Sequence, residues 1–149
     1  MLKLFIVSYK ITKVLNSSSF LLSITLGKLS YLFYKLLCIY LGIDFHWKIN
    51  IGKNFKISHF VGIVVNENTI FGDNCWIRQN TTIGNSLHNN KAPKFGNNVQ
   101  IGANVCVIGD ISIGNNVIIG AGSVVVKDIP DNAVVVGNPA KIIKFIEPK

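Results

Sequence analysis

Aliphatic residues recur every six positions through most of this chain. One series runs Phe95, Ile101, Val107, Ile113, Ile119 and Val125, and an earlier one Val65, Phe71, Ile77 and Ile83. Glycine follows that position at Gly72, Gly84, Gly96, Gly102, Gly114 and Gly120, and a second small or aliphatic residue stands four places after it at Val99, Val105, Ile111, Val117 and Ser123. An amphipathic helix repeats near 3.6 residues and a half-buried strand at 2, so a sustained period of six fits neither alone. It fits a parallel β-helix, in which each hexad supplies one short strand and a turn, and three hexads close a coil. Stacked coils then bury a narrow apolar core. Upstream the pattern starts at Ile51-Gly52, passes Ile57 and Ile63, and slips by two residues to reach Val65. From Gly84 to Lys94 it lapses into a polar stretch that contains both backbone breakers, which predicts a loop projecting from the coil. After Ile129-Pro130-Asp131 the segment from Val134 to Lys141 is expected to leave the solenoid and end the domain.

The amino-terminal pattern is different. Residues from about 2 to 42 read as two helices separated by Asn16-Ser17-Ser18-Ser19, a stop and N-cap cluster. The second run, Phe20 to Ile43, is strongly apolar but broken by Lys28 and Lys35, so it falls short of the roughly 20 mostly uncharged residues of a membrane span. No small-residue cleavage site closes its apolar core, as a signal peptide would require. The two lysines lie seven apart and share a helix face. That predicts an amphipathic helix which covers the open end of the β-helix or packs on another subunit, with docking on a membrane surface as a second role. The expected organisation is a helical segment over 1–43, a β-helix domain over 44–141 with its projecting loop at 84–94, and a tail over 142–149.

Composition narrows the class. Hydrophobic residues make up 49% and charged residues 15% of the 149, which suits an ordered single domain rather than a disordered chain. Of the net charge of +8, five lysines and no acid fall in the first 43 residues. No basic run with interleaved aromatics occurs, so nucleic acid is not an expected partner. The excess fits an anionic membrane face or the phosphates of a nucleotide cofactor. Cys38, Cys75 and Cys106 are widely spaced without a CxxC, which reads as free thiols in a reducing compartment. Three scattered histidines, with neither CxxC nor HxxxH, give no expected metal site. A cytoplasmic location follows as the expectation, with peripheral contact at the inner face of the cytoplasmic membrane if the helices dock there.

Four blocks stand out: Ile57-Ser58-His59-Phe60-Val61-Gly62-Ile63-Val64-Val65, Thr81-Thr82-Ile83-Gly84-Asn85, Ile119-Gly120-Ala121-Gly122-Ser123-Val124-Val125, and Val136-Gly137-Asn138-Pro139-Ala140-Lys141. With them the chain, from about Asp44 to Lys141, resembles the hexapeptide-repeat acyltransferases. Within that family it is most similar to the branch of serine O-acetyltransferases and the short acetyltransferases of capsule and exopolysaccharide clusters (the colanic-acid type). The resemblance implies an all-β solenoid, a left-handed parallel β-helix with a short helical segment ahead of it. It also implies homotrimers with active sites between subunits, pairing of trimers through the helices being left open, and acetyl-CoA lying along a groove between coils as the acetyl donor.

Acetyl transfer to a hydroxyl needs a base for the hydroxyl proton and donors for the oxyanion. Histidine suits the base because its pKa lies near neutral, and a carboxylate improves it by fixing the tautomer. By the family pattern His59 is that base, and the partner acid fifteen residues earlier falls on Asp44. On the coenzyme side the resemblance points to Gly84, Gly102, Ala103, Gly120 and Ala121 along the groove, with Lys127 or Lys141 reaching the phosphates. Small residues at those places allow close backbone approach.

The acceptor side departs from the serine enzymes. Ser58 stands where they carry an aspartate before the catalytic histidine, and Lys91-Ala92 precedes Pro93-Lys94 where their loop carries Arg-His. Candidate acceptor residues are Ser58, Trp76, His88 and Lys91, with Trp76 or Phe60 able to stack on a sugar face if exposed. The expected function is O-acetylation of a sugar hydroxyl in capsule, exopolysaccharide or O-antigen assembly, the acceptor being a glycan or lipid-linked glycan. The alternatives are a serine O-acetyltransferase of cysteine synthesis and a catalytically silent β-helix scaffold.

Overall fold

The computed structural model describes residues 2–17, 21–87 and 89–147. Two helices open the chain, α1 (Leu2–Asn16) and α2 (Leu21–Leu41). The remainder winds through three parallel sheets that form the faces of a prism. Sheet A stacks β1 (Ile43–Phe45), β4 (Ile63–Val65), β7 (Thr82–Gly84), β10 (Cys106–Ile108) and β13 (Val124–Val125). Sheet B stacks β2 (Asn50–Ile51), β5 (Ile70–Phe71), β8 (Lys94–Phe95) and β11 (Ser112–Ile113). Sheet C stacks β3 (Lys56–Ser58), β6 (Trp76–Arg78), β9 (Gln100–Ile101), β12 (Ile118–Ile119), β14 (Ala133–Val136) and β15 (Lys141–Phe145). The register places hexad on hexad: Ile101 pairs with Ile119, and Val107 with Val125, three hexads apart.

The six-residue period therefore becomes an inward column on each face. Val65, Ile83, Val107 and Val125 are buried behind sheet A, and Ile57, Ile77, Ile101 and Ile119 behind sheet C. Behind sheet B the column is aromatic, with the Phe71 and Phe95 rings stacked 4.8 Å apart. Each such side chain contributes roughly 1.5–3 kcal/mol by leaving water. The glycine after each column residue is fixed by the stacking. A Cβ on Gly72 would stand 2.6 Å from the Gly96 carbonyl oxygen, and one on Gly102 would stand 2.6 Å from the Ala121 nitrogen.

The corner after sheet B holds a device that the apolar period does not show. Asn54, Asn74, Asn98, Asn116 and Asn132 all adopt positive φ, between 55° and 60°. Their side-chain amides form a ladder from coil to coil with bonds of 2.8–3.0 Å. Asparagine tolerates the left-handed conformation, and its amide offers both a donor and an acceptor to the coils above and below.

The helices cap the open end of the prism, as their apolar faces predict. Phe5 and Tyr9 of α1 and Tyr34 of α2 are buried against Phe45, the last residue of β1. The Tyr9 and Tyr34 hydroxyls donate to the Ile49 and Phe45 carbonyls. The opposite faces of both helices stay exposed. Among the described residues no helix is long and apolar enough to cross a membrane.

The carboxy-terminal end differs from expectation. Ala133–Val136 does not leave the solenoid: β14 pairs in parallel with β12 as a further rung of sheet C. The chain reverses only after it, at Gly137 (φ 101°), and β15 runs antiparallel along β14. Residues 142–145 of the expected tail are thus strand, because the last parallel rung leaves a row of backbone groups open that β15 satisfies. Between Gly84 at the end of β7 and Lys94 at the start of β8 the described residues form neither strand nor helix. All three cysteines are free thiols.

Candidate active site at an irregular corner

Every corner between sheets C and A but one is tight. In the coils below, Arg78 passes to Thr82 through Gln79-Asn80-Thr81, with Asn80 at φ 55°. Ser58 is the partner of Arg78, and Val64 is the partner of Thr82, so the corner above holds two more residues. This is the two-residue slip in the hexad pattern, and it falls on His59-Phe60. The enlarged corner is held by three contacts. Phe60 packs edge-on against Phe5 of α1, with ring centroids 5.7 Å apart. Gly62, at φ 70°, donates its N–H to the Gly42 carbonyl at 2.8 Å, and Asn80 donates its own to the Val61 carbonyl at 2.9 Å. Immediately before these residues His59 adopts φ 60° and is exposed. A non-glycine residue in this region is uncommon and costs of order 1–3 kcal/mol, so the fold holds the imidazole outward against its backbone preference.

Asp44 lies on the neighbouring rung, two residues past Gly42, and points outward from the middle of β1. No hydrogen bond or ion pair joins it to His59 among the described residues. Its charge acts instead on groups at the α2 end of sheet A. It opposes ionisation of Tyr34 and Cys38, whose pKa values burial already pushes up, and it favours the charged form of His46. His46 shares that outward face of β1. Burial holds its pKa below the ordinary histidine value, outweighing the Glu67 carboxylate 3.4 Å from Nδ1. The Lys48 backbone N–H points at the same nitrogen from 3.2 Å, as a neutral imidazole requires. His46 is therefore a residue of the junction between helix and solenoid.

A groove of ≈ 260 Å³ runs down the outer face of sheet C, lined by Gly102, Ala103, Gly120 and Ala121 together with Trp76 and Arg78. Four of the expected coenzyme residues thus meet in one place. Gly84 does not join them: it sits on sheet A in a shallow depression with Asp44, His46 and Thr82. Lys127 and Lys141 are exposed beyond β13 and at the start of β15, and neither lines the groove. Ser58 and Trp76 meet directly, the indole N–H donating to the Ser58 hydroxyl at 2.7 Å. Lys91 instead pairs at 3.1 Å with Asp110, in the turn between β10 and β11. Ala92 is buried at the base of the segment between β7 and β8. His88 lies outside the described residues. Phe60 is half-buried, with one edge of its packing taken by Phe5.

One residue escaped the sequence reading. Arg78, the only arginine of the chain, lies with its guanidinium carbon 4.8 Å from the centre of the Trp76 ring. Its outward place in β6 could have been found by carrying the inward position of Ile77 one residue further.

Comparisons with known proteins agree with the three-sided solenoid. The bacterial transferase hexapeptide family (six repeats) matches residues 92–127. The chain is 42% identical over 104 residues to a colanic acid biosynthesis acetyltransferase, WcaB, of Escherichia coli strain K12; the match spans 69% of this chain and 64% of that protein. It is also 42% identical over 103 residues to the chloroplastic serine acetyltransferase 1 of Arabidopsis thaliana, spanning 68% of this chain and 33% of that one. The serine acetyltransferase of Neisseria gonorrhoeae superposes with a TM-score of 0.83 at 33% identity, covering 97% of this chain and 54% of that structure. The chain thus spans between a third and two thirds of the length of these relatives. On the hexad columns, the three-sided solenoid and these matches, the protein belongs to the hexapeptide-repeat acyltransferases and has their left-handed β-helix.

Proposed function

We propose that the protein is an acetyl-CoA-dependent O-acetyltransferase that acetylates a sugar hydroxyl during assembly of a capsule, exopolysaccharide or O-antigen. The observation that carries this reading is the enlarged corner that presents His59 at the head of the sheet C groove. His59 takes the acceptor's proton as its oxygen attacks the thioester carbonyl. When the tetrahedral adduct collapses, the carbon–sulfur bond breaks and the departing thiolate takes that proton from the imidazolium. Asp44, one rung above, is the acid that would stabilise the imidazolium once the site is occupied. The coenzyme's pantetheine arm lies in the groove along Gly102-Ala103 and Gly120-Ala121, with the assembly a homotrimer whose neighbouring subunit closes the site.

Similarity to a colanic acid biosynthesis acetyltransferase supports the sugar acceptor. Serine remains the second reading because serine acetyltransferases match at the same identity. Against it stand Ser58, which is engaged by Trp76, and the buried Ala92, which offers nothing to a carboxylate. Thiol release from acetyl-CoA, measured with L-serine or with the organism's surface polysaccharide and with the His59→Ala protein as blank, separates the two. Turnover with polysaccharide alone supports the glycan reading, and turnover with serine overturns it.

The exposed helix faces fit the same setting. Leu29, Phe33 and Leu36 of α2 and Val7 and Ile11 of α1 are each about half exposed or more, beside Lys10, Lys28 and Lys35 and without an acid. We place this face against an anionic membrane surface, where a lipid-linked glycan would be met at the cytoplasmic side. Flotation with vesicles containing phosphatidylglycerol tests it: binding should be lost in the Phe33→Glu protein and weaken with salt.

A further inference from the structure

Sheet C turns an unusual set of side chains toward solvent beside the proposed catalytic corner. Reading outward positions down the stack gives Lys56 and Ser58 on β3, Trp76 and Arg78 on β6, then Gln100 on β9 and Ile118 on β12, each strand followed by the groove glycine, Gly102 or Gly120. Two of these carry positive charge and none carries negative charge. Arg78 makes no ion pair with an acid among the described residues; the acids that do pair engage His46, Lys48 and Lys91. It is nonetheless held in place. Its guanidinium lies over the Trp76 ring, and that ring is pinned by the indole N–H bond to Ser58. A planar, pre-positioned guanidinium with free donors matches a carboxylate or phosphate better than a mobile lysine does.

We infer that Arg78, seated on Trp76, is the binding residue for an anionic group on the acceptor, so that the sugar acetylated carries a carboxylate or a phosphate. The inference rests on the proposed catalytic role of His59, and geometry separates the acceptor from the other anion at hand. Arg78 is the direct strand partner of Ser58, whose next neighbour is His59, so it lies one rung, about 4.8 Å, from the rung that carries the reacting carbon. From thioester sulfur to the first phosphorus the coenzyme arm has roughly thirteen bonds, about the length of four extended residues, or roughly 14 Å. That is about three rungs. With the thioester at His59 and the arm laid along Gly102 and Gly120, three rungs from β3 bring the phosphates to the level of β12, two rungs or roughly 10 Å from the rung of Arg78. The cation at the head of the groove is left for the acceptor.

Indole fluorescence reads this directly. In a Trp47→Phe protein, Trp76 is the remaining tryptophan. Titration with glucuronate, glucose 1-phosphate, neutral glucose and coenzyme A distinguishes the sources of the anion. The expected result is a saturable change with one or both charged sugars at concentrations at least about tenfold below those needed for glucose. In Arg78→Gln that preference disappears, in Arg78→Lys it returns only in part, and coenzyme A binds all three proteins within about twofold. Charged sugars binding no tighter than glucose, or no change with any sugar, overturns the inference. So does a loss in Arg78→Gln that falls on coenzyme A, which would assign the guanidinium to the coenzyme. The readout needs no turnover, so its failure is distinct from a failure of the thiol-release assay that tests His59.

Discussion

Two corners of the same solenoid answer the same geometric problem differently. Where sheet B passes to sheet C, each coil uses an asparagine at positive φ and ties it to its neighbours through amide bonds of 2.8–3.0 Å. Where sheet C passes to sheet A in the first full coil, His59 joins Gly62 at positive φ in a corner two residues longer than the one beneath it, and its imidazole has no hydrogen-bond partner among the described residues. The first corner is repeated and self-satisfied, and its side chains are consumed by stability. The second is singular, held from outside by Phe5 and Gly42, and leaves its side chain free for chemistry. Strain sits where function is proposed, and the regular stack and the helical cap compensate for it.

Breaking this contrast should give effects of graded size. The largest is expected for His59→Asn, which keeps a residue suited to positive φ but removes the base. Acetyl transfer should fall by about 10²–10⁴-fold in the thiol-release assay while the melting temperature stays within about a degree. Equal activity in the two proteins would remove His59 from the mechanism.

Gly62→Ala comes next. Its Cβ would stand 2.3 Å from Asn80 Oδ1 at a φ of 70°, so the corner must shift at a cost of about 1–3 kcal/mol. Calorimetry should show the melting temperature several degrees lower, and activity should fall further than the folded fraction does, because His59 moves with the corner. Asn98→Ala, in the regular corner, removes the bonds to Asn74 and Asn116 and puts alanine in a left-handed turn, for about 1–2 kcal/mol. Here activity per folded molecule should be unchanged, and a loss larger than the stability change would show the two corners to be coupled.

The smallest effect concerns His46. Its folded-state pKa lies below the unfolded value, so the unfolded chain binds the proton more readily, and the stability present above pH 6.5 is lost as pH falls below it. Between pH 7.5 and 5.5 the melting temperature of the wild type should drop slightly more than that of His46→Gln.

Much of this could be read along the chain. The hexad period located the solenoid, and the polar lapse after Gly84 located the loop. The two-residue slip before Val65 marked the corner that holds His59, though its meaning needed the strand register. The pairing of Ser58 with Trp76, separated by eighteen residues, was not legible because it depends on which hexads stack. Nor was the placement of Gly84, which shares the local pattern of Gly102 and Gly120 but falls on a different face of the prism. The reach of the last rung was misjudged at Ala133–Val136 because a continuous valine run carries no sign of which strand it will meet.

Sequence alone thus determined the period, the inward columns and the place where the period slips. These are local or strictly periodic properties, and a repeat converts them directly into structure. Only the tertiary fold decided that Phe5 buttresses the corner of His59, that Asp44 stands one rung from His59 with no hydrogen bond or ion pair between them, and that Trp76 and Arg78 come to flank the groove. Each of these depends on contacts between residues far apart in the chain, set by how the coils stack and how the helices close their end.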